Sequence, residues 1–424
     1  MRLICRKSRL HGEVRIPGSK SHTIRAVAIA SLAEGVSTIR APLHSNDTLA
    51  AVGAYRALGA KIHLAPEEWR VEGTAGEVRT PDDVIDVRNS GVTLRTALGT
   101  CALLRRGMAV LTGDEQIRRR PAGPLAASLN DLGADVRSTR ETGTAPFVVR
   151  GRLRGGATTI EGTTSQYVTG LLINTPLADG DSVIEVVKLN EAPYVEMTLD
   201  WLRRQGIRFE QEGLTRFRVP GGQTYRPVDR AIPADFSSAT FFVGAGALDD
   251  NDVILVGLDL SDTQGDKAVL GYVAQMGARV DSVARGIRVR PGELTGCEID
   301  LNATPDALPT LAVLGCFARG TTRLVNVPQA LIKETDRIAV MAAELARLGA
   351  RVEELPDGIV VHESALRGAE VDGHGDHRVV MALAVAGCSI PGTTVVHGAE
   401  AAAVTFPGFV ECMRGLGADI RVEE

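Results

Sequence analysis

One pattern recurs six times along this chain and limits what it can fold into: an apolar helix-like stretch, a glycine or asparagine, a short β-branched run, then a second, amphipathic helix-like stretch. The second stretches end at Leu58-Gly59-Ala60, Leu132-Gly133-Ala134, Gln205-Gly206-Ile207, Met276-Gly277-Ala278, Leu348-Gly349-Ala350 and Leu416-Gly417-Ala418. The breaks before the middle strand fall at Gly35, Gly107, Gly180, Asn251, Gly320 and Gly392. The period is roughly seventy residues, longer than the repeats of solenoids and propellers. A unit of that size can bury its own helices against its own strands. Glycine just past a last helical turn closes the helix in the left-handed conformation. The residues beyond it alternate, as in Lys61-Ile62-His63-Leu64, which reads as a strand with one buried face. Six copies divide into two α/β domains of three.

Composition agrees. The chain of 424 residues is 44% hydrophobic, 23% charged and only 4% aromatic, a soluble α/β composition with aliphatic cores. A net charge of −5 gives no support for a nucleic-acid partner. The six cysteines (Cys5, Cys101, Cys297, Cys316, Cys388, Cys412) show no metal-like spacing and read as free thiols of a reducing, cytoplasmic compartment. The N-terminus lacks the apolar core of a signal peptide, and no apolar run is long enough to span a membrane.

The first helix of each repeat is almost wholly apolar, so it should be buried on most sides. Each begins at a small polar or acidic group: Ser21, Ser90-Gly91, Ser165, Ser237-Ser238, Asp306 and Asp376. These are residue types that cap a first turn, and for Ser237 and Ser238 capping is explanation enough. Others carry more. Lys20 precedes Ser21 and Arg25 lies one turn on; Asn89-Ser90-Gly91 leads a helix carrying Arg95; Gln166 follows Ser165; His377 and Arg378 follow Asp376. A buried arginine is costly unless it is paired or lines a polar cleft. Helix N-termini also favour anions.

The second helices add Arg118, Arg119 and Arg120 before Pro121, read as a helix-starting proline, and Lys333 and Arg337, four apart and so on one helical face, with Glu334 and Asp336 off that face. The residues alone therefore describe a two-domain α/β protein with a strongly cationic cleft and a few carboxylates, suited to phosphorylated or carboxylated small molecules. There is no Walker motif, dinucleotide fingerprint or metal cluster, and His374-Gly375-Asp376-His377 is weak as a metal motif. Catalysis would then rest on acid–base groups, with no cofactor and no metal.

Pro17-Gly18-Ser19-Lys20-Ser21, Asn89-Ser90-Gly91, Arg120-Pro121, Ser165-Gln166, Pro305-Asp306, Lys333-Glu334-Thr335-Asp336-Arg337 and Asp376-His377-Arg378 follow one another in the order seen in the 5-enolpyruvylshikimate-3-phosphate synthase family, which the chain resembles over essentially its whole length. The resemblance implies a two-domain enolpyruvyl transferase-like fold. It has six βαβαββ repeats, three per domain about a pseudo-threefold axis, with the active site in the interdomain cleft. The first domain would be residues 19–229 and the second 1–18 plus 230–424. The implied reaction moves the enolpyruvyl group of phosphoenolpyruvate onto the 5-hydroxyl of shikimate 3-phosphate and releases phosphate, a step of aromatic amino acid biosynthesis. The family is usually monomeric.

The same resemblance implies the site residues. Lys20, Asn89, Ser90, Gly91, Arg120, Gln166, Arg337 and Arg378 would hold phosphoenolpyruvate, with Arg95 supporting the loop. Lys20, Ser21, Arg25, Thr164, Ser165, Gln166, Tyr194, Asp306, Gln329 and Lys333 would hold shikimate 3-phosphate. Asp306 would be the base for the reacting hydroxyl, and Glu334 and Lys20 the candidates for protonating the methylene carbon.

The chain departs from the family pattern in places. Val404 stands where a lysine is usual before Thr405-Phe406-Pro407, Arg88 where a glycine opens the phosphate loop, and Ile24 before Arg25 where asparagine is usual. Val92 and Thr96 replace the commoner Thr and Pro, and Asn190-Glu191-Ala192-Pro193-Tyr194 lacks a common serine. Arg88 is a candidate to replace the missing cation. The changed loop and Val404 should weaken glyphosate, which occupies the phosphoenolpyruvate site in this family. The alternatives are an enolpyruvyl transferase with a shifted acceptor and a catalytically decayed anion-binding protein of the same fold. The sister UDP-N-acetylglucosamine transferases carry a cysteine in the loop matching Asp114–Arg120, and this loop has none.

Overall fold

The structure, a computed structural model, describes residues Met1–Glu424. It divides into a continuous unit, Gly18–Ile232, and a discontinuous one, Met1–Pro17 with Pro233–Glu424. Each holds three four-stranded sheets, and all six sheets have one topology. The sheet Ile85–Asp86, Met108–Thr112, Phe147–Arg150, Asp135–Ser138 shows it. The first strand runs parallel to the second, and the third and fourth form an antiparallel hairpin beside it. Helix Gly91–Cys101 connects the first two strands, and helix Gly123–Asp131 leads to the edge strand. The order is βαβαββ, and the short parallel pair needs the crossover helix that the buried apolar stretch supplies.

Three of the six repeats are not contiguous in sequence. In the continuous unit, Asp229–Ala231 at the far end of the chain segment pairs parallel with Val36–Arg40 and completes the first repeat. In the discontinuous unit, Arg2–Arg6 lies between Thr393–His397 and Asp419–Glu423, antiparallel to both, and completes the last repeat. His11–Arg15 pairs parallel with Asp252–Val256 and opens another. The periodicity counts the helices correctly but is silent on these exchanges.

The first helices are buried as expected. All eleven residues of Phe236–Gly246 are buried, as are eleven of the thirteen in Lys20–Leu32. Gly59, Gly133, Gly206, Gly277, Gly349 and Gly417 all have positive φ, from 72° to 113°, as the helix endings require. Two helices cross closely through reciprocal glycines. A Cβ on Gly99 would lie 2.5 Å from Asn174 Nδ2, and one on Gly170 would lie 2.7 Å from the Arg95 carbonyl oxygen. That approach sets Gly91–Cys101 beside Ser165–Asn174. No helix is long and apolar enough to cross a membrane.

Candidate active site

The caps lie slightly upstream of the expected ones. Ser19, not Ser21, caps the helix Lys20–Leu32; Thr164, not Ser165, caps Ser165–Asn174; and Asp235, not Ser237 or Ser238, caps Phe236–Gly246. Ser90 and Asp376 are caps as expected. Asp306 sits in a 3-10 turn, Pro305–Ala307, just before Leu308–Phe317. A cap is defined by extended backbone at the helix boundary, so a serine inside the first turn can look like one in sequence.

In the continuous unit, Arg25 is fully buried and ties three helices together. It donates to the Ser21 carbonyl (3.0 Å), Thr169 Oγ1 (3.3 Å), Thr198 Oγ1 (3.0 Å) and the Tyr194 carbonyl (2.9 Å). Every one of these acceptors is neutral. Burial pulls the guanidinium down from its usual range to about 10. Lys20 Nζ lies 3.2 Å from Asp47 Oδ2, and both side chains are mostly buried.

The loop before Gly91–Cys101 is held through its backbone and Asn89. The Arg88 carbonyl accepts from the Asp114 N–H (2.8 Å), and Asn89 Nδ2 donates to Asp114 Oδ2 (2.7 Å) and Gln116 Oε1 (2.5 Å). The Arg88 side chain is exposed, and its φ of 51° is one that the usual glycine would accept more easily. Arg95 donates to the Gly91 carbonyl (3.1 Å) and the Pro121 carbonyl (2.6 Å), and Tyr167 donates to the same Pro121 oxygen (2.8 Å).

The three consecutive arginines part company: Arg118 and Arg119 are exposed, whereas Arg120 is buried over Gly91. A Cβ on Gly91 would stand 2.6 Å from Arg120 Nη2. Pro121 does not start the next helix, which runs Gly123–Asp131 with Pro124 in its first turn. At the neighbouring helix start, Glu191 Oε2 accepts from Thr164 Oγ1 (2.9 Å), Ser165 N–H (3.1 Å) and Ser165 Oγ (2.7 Å). Gln166 Oε1 is buried with no hydrogen-bond partner.

In the discontinuous unit the helix begins at Arg337, capped by Asp336, so Lys333 lies outside it rather than one turn along its face. Lys333 and Arg337 nonetheless meet at Asp306 Oδ1, at 3.9 and 2.7 Å. Arg337 is 1% exposed and also donates to Asp376 Oδ2 (2.7 Å) and Glu334 Oε2 (2.6 Å). Glu334 therefore does share the Arg337 site, contrary to the helical-face reading. Burial works against the Arg337 charge, but Asp376, Glu334 and Asp306 together outweigh it and raise the guanidinium above its ordinary value.

Arg378 Nη2 completes the ring at 2.8 Å from Asp306 Oδ2. The sequence suggested a strongly cationic pocket; here Lys333, Arg337 and Arg378 are balanced by Asp306, Glu334 and Asp376. Gln329 donates to the Asn302 carbonyl (2.8 Å), leaving Oε1 buried and unpaired. His374 bonds Glu344 and Asp376 bonds Arg337, so that segment is occupied with structural pairing. Val404 ends a 3-10 turn, Ala399–Val404, and brings no charge.

Asp47, Asp376 and Glu191 were not among the expected site residues. Asp376 was visible as a cap. Glu191 was visible only as a departure from a family pattern, without a role.

Six sheets of one βαβαββ topology, with paired cations and carboxylates at the starts of buried helices, define the enolpyruvyl transferase class. The family model for EPSP synthase (3-phosphoshikimate 1-carboxyvinyltransferase) matches residues 4–413, and the chain belongs to that family. It is 53% identical over 420 residues to a 3-phosphoshikimate 1-carboxyvinyltransferase of Acetivibrio thermocellus, covering 99% of each chain. It is 43% identical over 420 residues to one of Methanocella arvoryzae, covering 98% of this chain and 99% of that one. A solved EPSP synthase of Acinetobacter baumannii matches with a TM-score of 0.83 at 27% identity, covering 100% of both chains.

Proposed function

We propose that this enzyme transfers the enolpyruvyl group of phosphoenolpyruvate to the 5-hydroxyl of shikimate 3-phosphate and releases phosphate. The observation that supports the mechanism is that Arg337 binds both Asp306 and Glu334, which holds the two carboxylates we assign as base and acid within one network. Asp306 takes the proton of the attacking hydroxyl while Glu334, with Lys20 as the second candidate, protonates the methylene carbon of phosphoenolpyruvate. The tetrahedral adduct then loses a methyl proton and phosphate, regenerating the double bond. Lys20, Arg120, Arg337 and Arg378 offset the charge that develops on the phosphate and carboxylate, with Asn89, Ser90, Gly91 and Gln166 completing the phosphoenolpyruvate set.

Arg25 supports the acceptor reading, since a buried cation among neutral acceptors gains from an arriving anion. Ser21, Thr164, Ser165, Gln166, Tyr194, Gln329 and Lys333 complete the acceptor set. The unpaired oxygens of Gln166 and Gln329 suit hydroxyl donors on a ligand. We take the working form to be a cytoplasmic monomer that uses no metal or cofactor.

Arg88 is the cation we assign to offset Val404. With Val92 and Thr96 it should blunt glyphosate, so that inhibition needs more glyphosate than stops a sensitive family member; inhibition in the sensitive range defeats that reading. The test of the main reaction is phosphate release from phosphoenolpyruvate with and without shikimate 3-phosphate, in the presence of a chelator. Release that requires shikimate 3-phosphate and persists with chelator is expected. No release from folded protein overturns the assignment.

A further inference from the structure

Three donors at the start of Ser165–Asn174 converge on one oxygen: the Thr164 hydroxyl, the Ser165 N–H and the Ser165 hydroxyl all point to Glu191 Oε2. This is the donor set that a helix start offers to an anion. Glu191 is 1% exposed. It lies immediately before the helix Ala192–Arg204, with φ 57° and ψ 39°, a conformation that a glutamate adopts rarely. The protein thus keeps a carboxylate, on unfavourable backbone, in a position built for an anion.

A second observation concerns the buried cation nearby. Arg25 reaches Thr169, one turn into the same helix, and the Tyr194 carbonyl, three residues past Glu191, and it meets only neutral acceptors. It is a fully buried cation beside a fully formed set of anion donors whose occupant is the chain's own side chain.

We propose that Glu191 is a specificity-determining residue, a built-in competitor that fills the seat of the acceptor's phosphate. This rests on the reading of Thr164 and Ser165 as acceptor-binding residues. The phosphate carries more charge and more acceptor oxygens than a carboxylate, so it can take these donors. It cannot share them, because two anions on the same donors repel strongly. Acceptor binding is therefore an exchange in which the Glu191 carboxylate leaves as the phosphate arrives. The exchange weakens the phosphorylated acceptor by the strength of the internal contacts. It leaves an acceptor without a phosphate unaffected, since that molecule has nothing to put in the seat.

The test is calorimetric titration of the full chain and its Glu191→Ser and Glu191→Gln variants with shikimate 3-phosphate and with unphosphorylated shikimate. Glu191→Gln keeps the size and an acceptor oxygen but removes the charge, so it guards against a variant that fails to fold. Shikimate 3-phosphate should bind both variants about ten-fold more tightly than the parent, with shikimate binding about unchanged. Equal or weaker shikimate 3-phosphate binding in folded Glu191→Ser and Glu191→Gln overturns the proposal and leaves Glu191 as a structural brace for the helix start. Ser165→Ala separates the two readings. If it leaves shikimate 3-phosphate affinity unchanged in the parent and in Glu191→Gln, the seat is not the acceptor's and the underlying assignment fails. If it weakens binding and abolishes the gain of Glu191→Gln, both stand.

Discussion

Arg337 is the residue on which the discontinuous unit's site depends. Its guanidinium holds Asp306, Glu334 and Asp376, of which Asp376 is wholly buried. Removing it leaves three carboxylates facing one another with one of them out of reach of water. Arg337→Met should therefore destabilise the protein by about 3–5 kcal/mol, the usual cost of stranding a buried charge. Urea unfolding measures it, and a loss of well under about 1 kcal/mol would refute the view that this network is buried and coupled. Arg25 makes the opposite case. Its charge finds no carboxylate in the unliganded protein, only neutral acceptors on three helices, so its hydrogen bonds brace the fold while its charge is the part we assign to binding. Arg25→Met should raise the KM for shikimate 3-phosphate by about ten- to a hundred-fold, the scale of a hydrogen bond to a charged group. The unliganded melting temperature should fall as well, because the acceptors on three helices lose their donor. A large drop in melting temperature with an unchanged KM would reverse the assignment.

At the scale of elements, the buried helices are scaffolds whose starts hold the residues we assign to the chemistry. Gly91 shows how tight one start is: Arg120 lies across it, closer than any Cβ would allow. Alanine is otherwise a better helix residue than glycine. Gly91→Ala should thus fold as well as the parent while pushing Arg120 aside, raising the KM for phosphoenolpyruvate about ten-fold or more, since a charge-assisted contact is lost. An unchanged KM would mean that Arg120 does not serve phosphoenolpyruvate. This tightness was half legible in the sequence. The order of Asn89-Ser90-Gly91 and Arg120-Pro121 pointed to one site, and the apolar stretches correctly marked the buried helices. Caps were misread by a residue or two because backbone angles decide them. The split of Arg118, Arg119 and Arg120 between solvent and interior depends on a turn that carries no periodic signal. Glu191 was hidden for a similar reason: a carboxylate meeting a helix start 26 residues upstream is a tertiary event.

For the whole molecule, the period of the sequence foretold six repeats, but strand exchange decides which pieces can stand alone. Gly18–Ile232 contains every strand of its three sheets, including Asp229–Ala231, and should unfold cooperatively as an isolated fragment. Pro233–Glu424 lacks Arg2–Arg6, an inner strand paired on both sides, and His11–Arg15, the parallel partner of Asp252–Val256. Those strands and their flanks bury Leu3, Cys5, Leu10, Val14 and Ile16 in the core of that unit. At about 1.5–3 kcal/mol for each large apolar side chain, their gross contribution is on the order of 10 kcal/mol. That equals the net stability of a typical domain. Pro233–Glu424 expressed alone should therefore show no cooperative transition by circular dichroism or calorimetry. The remedy follows from the same geometry. The Asp235 N–H donates to the Pro17 carbonyl at 2.9 Å, so a short glycine-serine linker from Pro17 to Pro233 can join the pieces without strain. The linked chain should regain a single sharp transition. If Pro233–Glu424 melts cooperatively without its first seventeen residues, the exchanged strands are ornaments on the discontinuous unit and not members of its core.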